Sequence, residues 1–193
     1  LYLKIDENYF ENVKQIVDQY NLKLHIDGAR IFNAAVALST TVEKLAKNAD
    51  SITCCLSKGL SAPVGSLIMS TKDFIAKARH IRKALGGGMR QSGILASAGI
   101  YSFNNMIERL EEDHNNAKLL ALGLSEIDEI EIDLNKIYTN IIFFNLQNTS
   151  IQDEELISQL LNNNIKIDSK GNRKFRMVTH YGFEKNDIAT VIN

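Results

Sequence analysis

Two short stretches carry residue types that chemistry needs. In HIDGAR, residues 25–30, Asp27 stands where an apolar run ends and Gly28 turns the chain. In SITCCLSKGLSAPVGS, residues 51–66, Lys58 stands between a serine and a glycine where a second apolar run ends. Each residue alone has a plain explanation. Asp27 suits a turn or the cap of a following helix, and Lys58 suits a solvated loop. His25 with Asp27 makes an incomplete metal pair with no third ligand nearby, so no metal site is expected.

The elements around the two residues change their weight. LKLHID reads as a short strand, ARIFNAAVAL and TVEKLAKNA as helices with Thr41 as a candidate N-cap, and SITCCL as a strand apolar on both faces. Strand, helix, strand in that order predicts a parallel crossover. Asp27 and Lys58, 31 residues apart, would then emerge at the carboxyl edge of one sheet, where ligands of open α/β sheets bind. An acid and a primary amine at one edge meet the needs of pyridoxal phosphate. The amine forms a Schiff base with its aldehyde, and the carboxylate keeps its pyridine nitrogen protonated. Ser57 is either a turn hydroxyl or a contact to the cofactor or its phosphate.

Further along, PVGSLIMS reads as a strand opened by Pro63, the only proline, and TKDFIAKARHIRKAL as an amphipathic helix ending at Gly86, Gly87 and Gly88. Arg90 follows these glycines and opens the next helix. Close backbone approach and a helix start both favour a phosphate there, against the plainer reading of a helix-breaking hinge. Residues 91–124 read as a long helical region with Ile94, Leu95, Ala98, Tyr101, Ile107, Leu110, Ala117 and Leu120 on an inner stripe. The first helix is expected over residues 7–20, on the spacing of Phe10, Val13, Ile16 and Val17.

After residues 125–128 the character changes. IEIDLN, TNIIFFNL and FRMVTH read as strands, and QDEELISQLLNNN and KNDIATVI as helices. The expected domains are 1–125, an α/β layer with a mainly parallel sheet, and 126–193, a small α+β domain. In FRMVTH, alternation puts Arg176, Val178 and His180 on one face. Arg176 is either an exposed strand arginine or a guanidinium set to take a carboxylate by two parallel hydrogen bonds. Arg173 competes for that role.

Bulk numbers exclude several classes. With 45% hydrophobic and 23% charged residues the chain can build a core. A net charge of −1 gives no basic field for nucleic acid, and no apolar run reaches the length of a membrane span. Cys54 and Cys55 are neighbours and would point to opposite faces of a strand, so they read as core thiols of a reducing, cytoplasmic compartment. The chain opens at Leu1 and stops inside an amphipathic pattern, as a piece of a longer chain would.

Together HIDGARIFNAA, SKGLSAPVGS and GGGMRQSGILASAG resemble the threonine aldolases, members of the aspartate-aminotransferase-like, fold-type-I enzymes that use pyridoxal phosphate. The likeness is dense from Leu24 to Leu124, and RMVTH resembles the family's closing strand. Ser61 departs from the pattern, where a glycine is expected. The resemblance implies that Lys58 is the Schiff-base lysine and that Asp27 pairs with the pyridine nitrogen. It implies that Arg30 faces the cofactor's phenolic oxygen and the substrate carboxylate. Arg90 would reach the phosphate in a neighbouring subunit, and Arg176 would bind the carboxylate. The implied reaction is retro-aldol cleavage of threonine or allo-threonine to glycine and acetaldehyde, in a homodimer or homotetramer whose active site is shared between subunits. The family's ring-stacking histidine and phosphate-cupping loop have no match here, so the chain alone is expected to be impaired. Three alternatives stay open: another fold-type-I enzyme such as an aminotransferase or β-eliminating lyase, a non-catalytic α/β assembly module, and a phosphate or nucleotide binder.

Overall fold

The computed structural model describes residue 5 and residues 7–147 and 149–193. Residues 1–4 and 6, at the start of the domain expected over 1–125, lie outside the described residues. The chain divides into two compact units, one running through Leu110 and the other Glu111–Asn193.

The first unit contains α1 (Glu7–Gln19), β1 (His25–Asp27), α2 (Ile31–Ala37), α3 (Val42–Ala46), β2 (Ser51–Cys55), β3 (Ser66–Ser70), α4 (Lys72–Ala84) and α5 (Gly93–Asn105). β1 and β2 are parallel, in the register His25 to Ser51 and Asp27 to Thr53, with α2 and α3 as the crossover. Thr41 caps α3 as the sequence predicts, accepting the Lys44 N–H. This leaves one fewer orphan donor at the helix start. β3 pairs antiparallel with β2. The loop 56–65 carries no helix, and a parallel return needs a longer crossover, so the sheet is mixed, in the order β1-β2-β3. β3 begins at Ser66 rather than at Pro63, because Gly65 still turns the chain at φ +120°. Ile31, Ala35, Leu45, Ile52 and Cys54 form one core cluster, and Leu56, Leu60, Ala62, Met106 and Leu110 form another.

The long helical region expected over 91–124 is two helices. α5 ends at Asn105, whose side-chain amide donates to the Tyr101 carbonyl at 2.8 Å. Asparagine competes for backbone groups in this way and shortens helices. The inner stripe is also corrected: Ile94 and Tyr101 are 80% and 64% exposed. The buried residues of α5 are the small Gly99 and Ser102, and a Cβ on Gly99 would already lie 3.0 Å from Leu56.

The second unit holds nearly all of α6 (Leu110–Leu124), then β4 (Ile130–Glu131), β5 (Ile141–Leu146), α7 (Asp153–Asn162), β6 (Asp168–Ser169), β7 (Lys174–Val178) and α8 (Lys185–Ile192). Its sheet runs β4-β5-β7-β6 with every pair antiparallel. Alternation sends Ile142, Phe144 and Leu146 of β5 and Phe175 and Met177 of β7 to the buried face. Phe144 and Phe175 are cross-strand partners with stacked rings 5.4 Å apart. Ala117, Leu120, Ala121 and Leu124 recur at helical spacing and lay α6 on this face. The compact unit therefore begins at Glu111, and α6, placed before 125–128 by the sequence reading, belongs with the second unit's core.

Candidate active site

Asp27 is the last residue of β1, and Lys58 comes three residues after β2 ends at Cys55. Because the two strands are parallel and in register, both segments leave the sheet at its carboxyl edge. The glycine after each residue lets its segment pack tightly against a neighbour. A Cβ on Gly28 would stand 2.7 Å from the Thr53 carbonyl oxygen of β2, and one on Gly59 would stand 2.7 Å from Asn33 and 2.9 Å from Leu110. No larger residue fits either place without moving backbone or core. The Cys55 N–H donates to the Ala29 carbonyl at 3.4 Å, tying the turn after Asp27 to the end of β2.

Asp27 is exposed, and its Oδ1 accepts the Ala29 N–H at 3.1 Å. A carboxylate offers about four acceptor positions, so this turn bond leaves it with capacity. Lys58 and Ser57 are exposed, and Arg30 is half-buried at the entry to α2. The loop after Lys58 is held by bonds of its own. The Ser61 N–H donates to the Lys58 carbonyl at 2.9 Å, and the Ala62 N–H donates to the Leu56 carbonyl at 3.0 Å. Ser61, the departure from the expected glycine, has φ +57°. That is the left-handed region glycine prefers, so the turn keeps its shape at a conformational cost of roughly 1 kcal/mol.

Arg90 is exposed and lies in the bend before α5. It precedes the helix rather than opening it, since α5 starts at Gly93 with Ser92 as its N-cap. Gly86 turns the chain at φ +86° at the end of α4.

Arg176 lies on the half-exposed face of β7, opposite Phe175 and Met177, as alternation predicts. Val178 shares that face. His180 lies beyond the strand, where its Nδ1 donates to the Tyr181 carbonyl oxygen at 2.8 Å. An Nη2 of Arg176 makes an ion pair with Asp168 Oδ2, while its Nε is buried with no hydrogen-bond partner. A buried donor left unmade costs about 1–3 kcal/mol, so an acceptor at Nε is favoured. The competing Arg173 is committed elsewhere. Its Nε, Nη1 and Nη2 donate to the carbonyls of Leu146, Ile151 and Thr149 at 3.1–3.2 Å, which makes it a clamp on the loop after β5.

Two features were not read from the sequence. One is Asp168, on the two-residue strand β6 directly across from Arg176. Its carboxyl is held below the usual range, first by the hydrogen bond from Lys170 and then, against some desolvation, by the charge of Arg176. The turn signal at Gly171 and Asn172, both with positive φ, marks the hairpin that creates this pair. The other is a buried polar network at the end of β7. Thr179 Oγ1 donates to the Asp113 carbonyl at 2.6 Å, and Asn140 Nδ2 donates to the Thr179 carbonyl at 2.7 Å. Satisfied networks of this kind fix a strand end in one place. His114, buried beside it in the sequence, is pushed down to about 4, mainly by desolvation.

Comparison with known proteins adds an independent finding. The chain is 42% identical over 181 residues to low-specificity L-threonine aldolase 1 of Arabidopsis thaliana, covering 93% of this chain and 51% of that protein. The chain spans about half the length of the curated relatives it matches. Among solved structures, the threonine aldolase of Leishmania major superposes with a TM-score of 0.73 at 20% identity, over 96% of this chain and 54% of that one. A glutamate decarboxylase of Lactobacillus brevis superposes with a TM-score of 0.72 at 16% identity, over 95% and 49%. The fold is thus that of the fold-type-I enzymes, and fold alone does not choose between cleaving one bond and another. The sequence model of the beta-eliminating lyases matches residues 5–149, from α1 through β5 and past the parallel strands that carry Asp27 and Lys58 to one edge. The chain belongs to the beta-eliminating lyase family, whose members depend on pyridoxal phosphate.

Proposed function

We propose that this chain carries the catalytic lysine and the ring-nitrogen carboxylate of a lyase that cleaves threonine or allo-threonine to glycine and acetaldehyde. The observation behind it is the parallel register of β1 and β2, which brings the Asp27 and Lys58 segments out at one sheet edge. The identity to a low-specificity L-threonine aldolase supports the choice of reaction.

The donor set fits pyridoxal phosphate: a primary amine, a carboxylate with acceptor capacity left, and arginines for its anionic groups. When bound, that cofactor supplies an electron sink for the pair released as a bond at the α carbon breaks. Lys58 Nζ would be the attachment point for its aldehyde carbon. Asp27 would accept a hydrogen bond from the pyridine N–H and hold the proton there, because an anion beside a cation favours the charged form. Arg90 and Ser57 contribute to phosphate binding, with Arg90 reaching the site of a neighbouring subunit. Arg176 is the candidate for the substrate carboxylate, with Arg30 as a second candidate. A carboxylate contact of this kind would fix rotation about the bond from nitrogen to the α carbon, and such orientation is worth up to roughly 7–11 kcal/mol of barrier. The enzyme acts as a cytoplasmic dimer or tetramer.

The test is acetaldehyde release from threonine by cofactor-loaded protein. Lys58→Ala abolishes both the release and the visible absorbance of the bound cofactor, and Asp27→Asn keeps the cofactor but loses turnover. Amino-group transfer to a keto acid in place of acetaldehyde, or a protein extended to the full length of its relatives that never takes up the cofactor, counts against the reading.

A further inference from the structure

Asp168 and Arg176 face each other across the β6–β7 pair, and the residue between β6 and the turn, Lys170, reaches the same oxygen. Asp168 Oδ2 accepts from Lys170 Nζ at 2.5 Å and from an Nη2 of Arg176. One carboxylate oxygen thus holds one end of the guanidinium. At the other end, Arg176 Nε is buried and has no hydrogen-bond partner. A long arginine side chain left to itself samples many rotamers, whereas this one is anchored at an Nη with a donor still to be satisfied. Asp168 is in turn shared with a lysine, so its negative charge is divided between two cations.

We propose that Asp168 is a positioning residue for Arg176: it fixes the guanidinium so that its remaining Nη donors are set to receive a ligand carboxylate. The inference rests on the reading of Arg176 as the carboxylate-binding arginine. It adds the acid that aims it. A hydrogen-bonded charge pair of this geometry restricts the fork without consuming it, since guanidinium has five N–H donors.

The experiment is a calorimetric titration of the cofactor-loaded enzyme with glycine and with ethanolamine, which has the same amine but no carboxylate. Asp168→Ala weakens glycine binding about tenfold, the scale of one charge-assisted hydrogen bond, and leaves ethanolamine within about twofold. Asp168→Asn retains the acceptor oxygen and recovers glycine binding to within about threefold of the parent. In steady state, Asp168→Ala raises KM for threonine and also lowers kcat, because a loosely held carboxylate no longer fixes rotation about the bond to the α carbon. Equal weakening of both ligands marks a general loss of structure and overturns the proposal. Unchanged or tighter glycine binding in Asp168→Ala also overturns it, the tighter case meaning that Asp168 competes with the ligand. Arg176→Gln separates the two readings. If it abolishes the preference for glycine over ethanolamine while Asp168→Ala does not, only the positioning role fails. If it leaves the preference intact, the role given to Arg176 fails, and the positioning role with it.

Discussion

β3 and β7 are both five-residue strands paired antiparallel with a neighbour, yet they meet opposite surroundings. β7 buries Phe175 completely and Met177 to 8% exposure, while β3 leaves Leu67, Ile68 and Met69 at 38%, 42% and 39%. The difference lies in the second layer. β7 has α6 and α8 on its apolar face through Ala117, Leu120, Ala121, Leu124 and Ile188. β3 is followed by α4, in which no residue is buried, and α5 offers only Gly99 and Ser102. Strand pairing satisfies the backbone, but it is the covering layer that removes apolar side chains from water. One region therefore holds its shape by packing. The other carries Phe74, Ile81, Leu85, Met89 and Ile94 as exposed apolar surface, a property associated with association or aggregation.

The largest test of this contrast is a pair of truncations. Phe175→Ala, at a fully buried ring, is expected to cost about 4 kcal/mol, and Leu67→Ala under about 1 kcal/mol. Denaturant melts check both, and similar losses would dissolve the contrast. The second test uses pH. His114 stays neutral in the folded second unit because burial lowers its value from 6.5 to about 4. Between those values the unfolded chain binds a proton that the folded chain refuses, so stability falls as pH drops. From pH 7 to 5 the loss is about 2 kcal/mol, fully absent above the unfolded value. His114→Gln flattens the dependence, as urea midpoints at the two pH values would reveal. The smallest effect is expected on the exposed face. Ile81→Lys and Leu85→Lys, at 56% and 82% exposure, change stability by less than about 0.5 kcal/mol. Both reduce uptake of an apolar dye, and a large destabilisation would mean this face is packed after all.

Legibility followed the range of the interaction. Helices α1, α3, α4, α7 and α8 were readable because caps and apolar periodicity act within a few residues. The α5–α6 break was not, since no glycine or proline marks it and Asn105 acts through its side chain. Asp27, Lys58 and Gly28 were readable as candidates, because a strand end followed by glycine is a local pattern. The tightness of packing at Gly28 and Gly59, where an added Cβ would come within 2.7 Å of Thr53 and Asn33, was not. The motif favoured Arg176 over Arg173 without excluding the latter, and their partners separate them: three backbone carbonyls for Arg173, Asp168 for Arg176.

Composition, periodicity and motif order thus determined that the chain is α/β, where most of its helices lie, and which acid and amine are candidates for chemistry. These properties depend on neighbours close along the chain. Only the tertiary structure decided that β3 runs antiparallel, that α6 belongs to the second core, that Arg173 is a loop clamp, and that Asp168 meets Arg176. Each of those depends on which distant segment occupies the other side of a contact, and such contacts leave no periodic mark on the residues that make them.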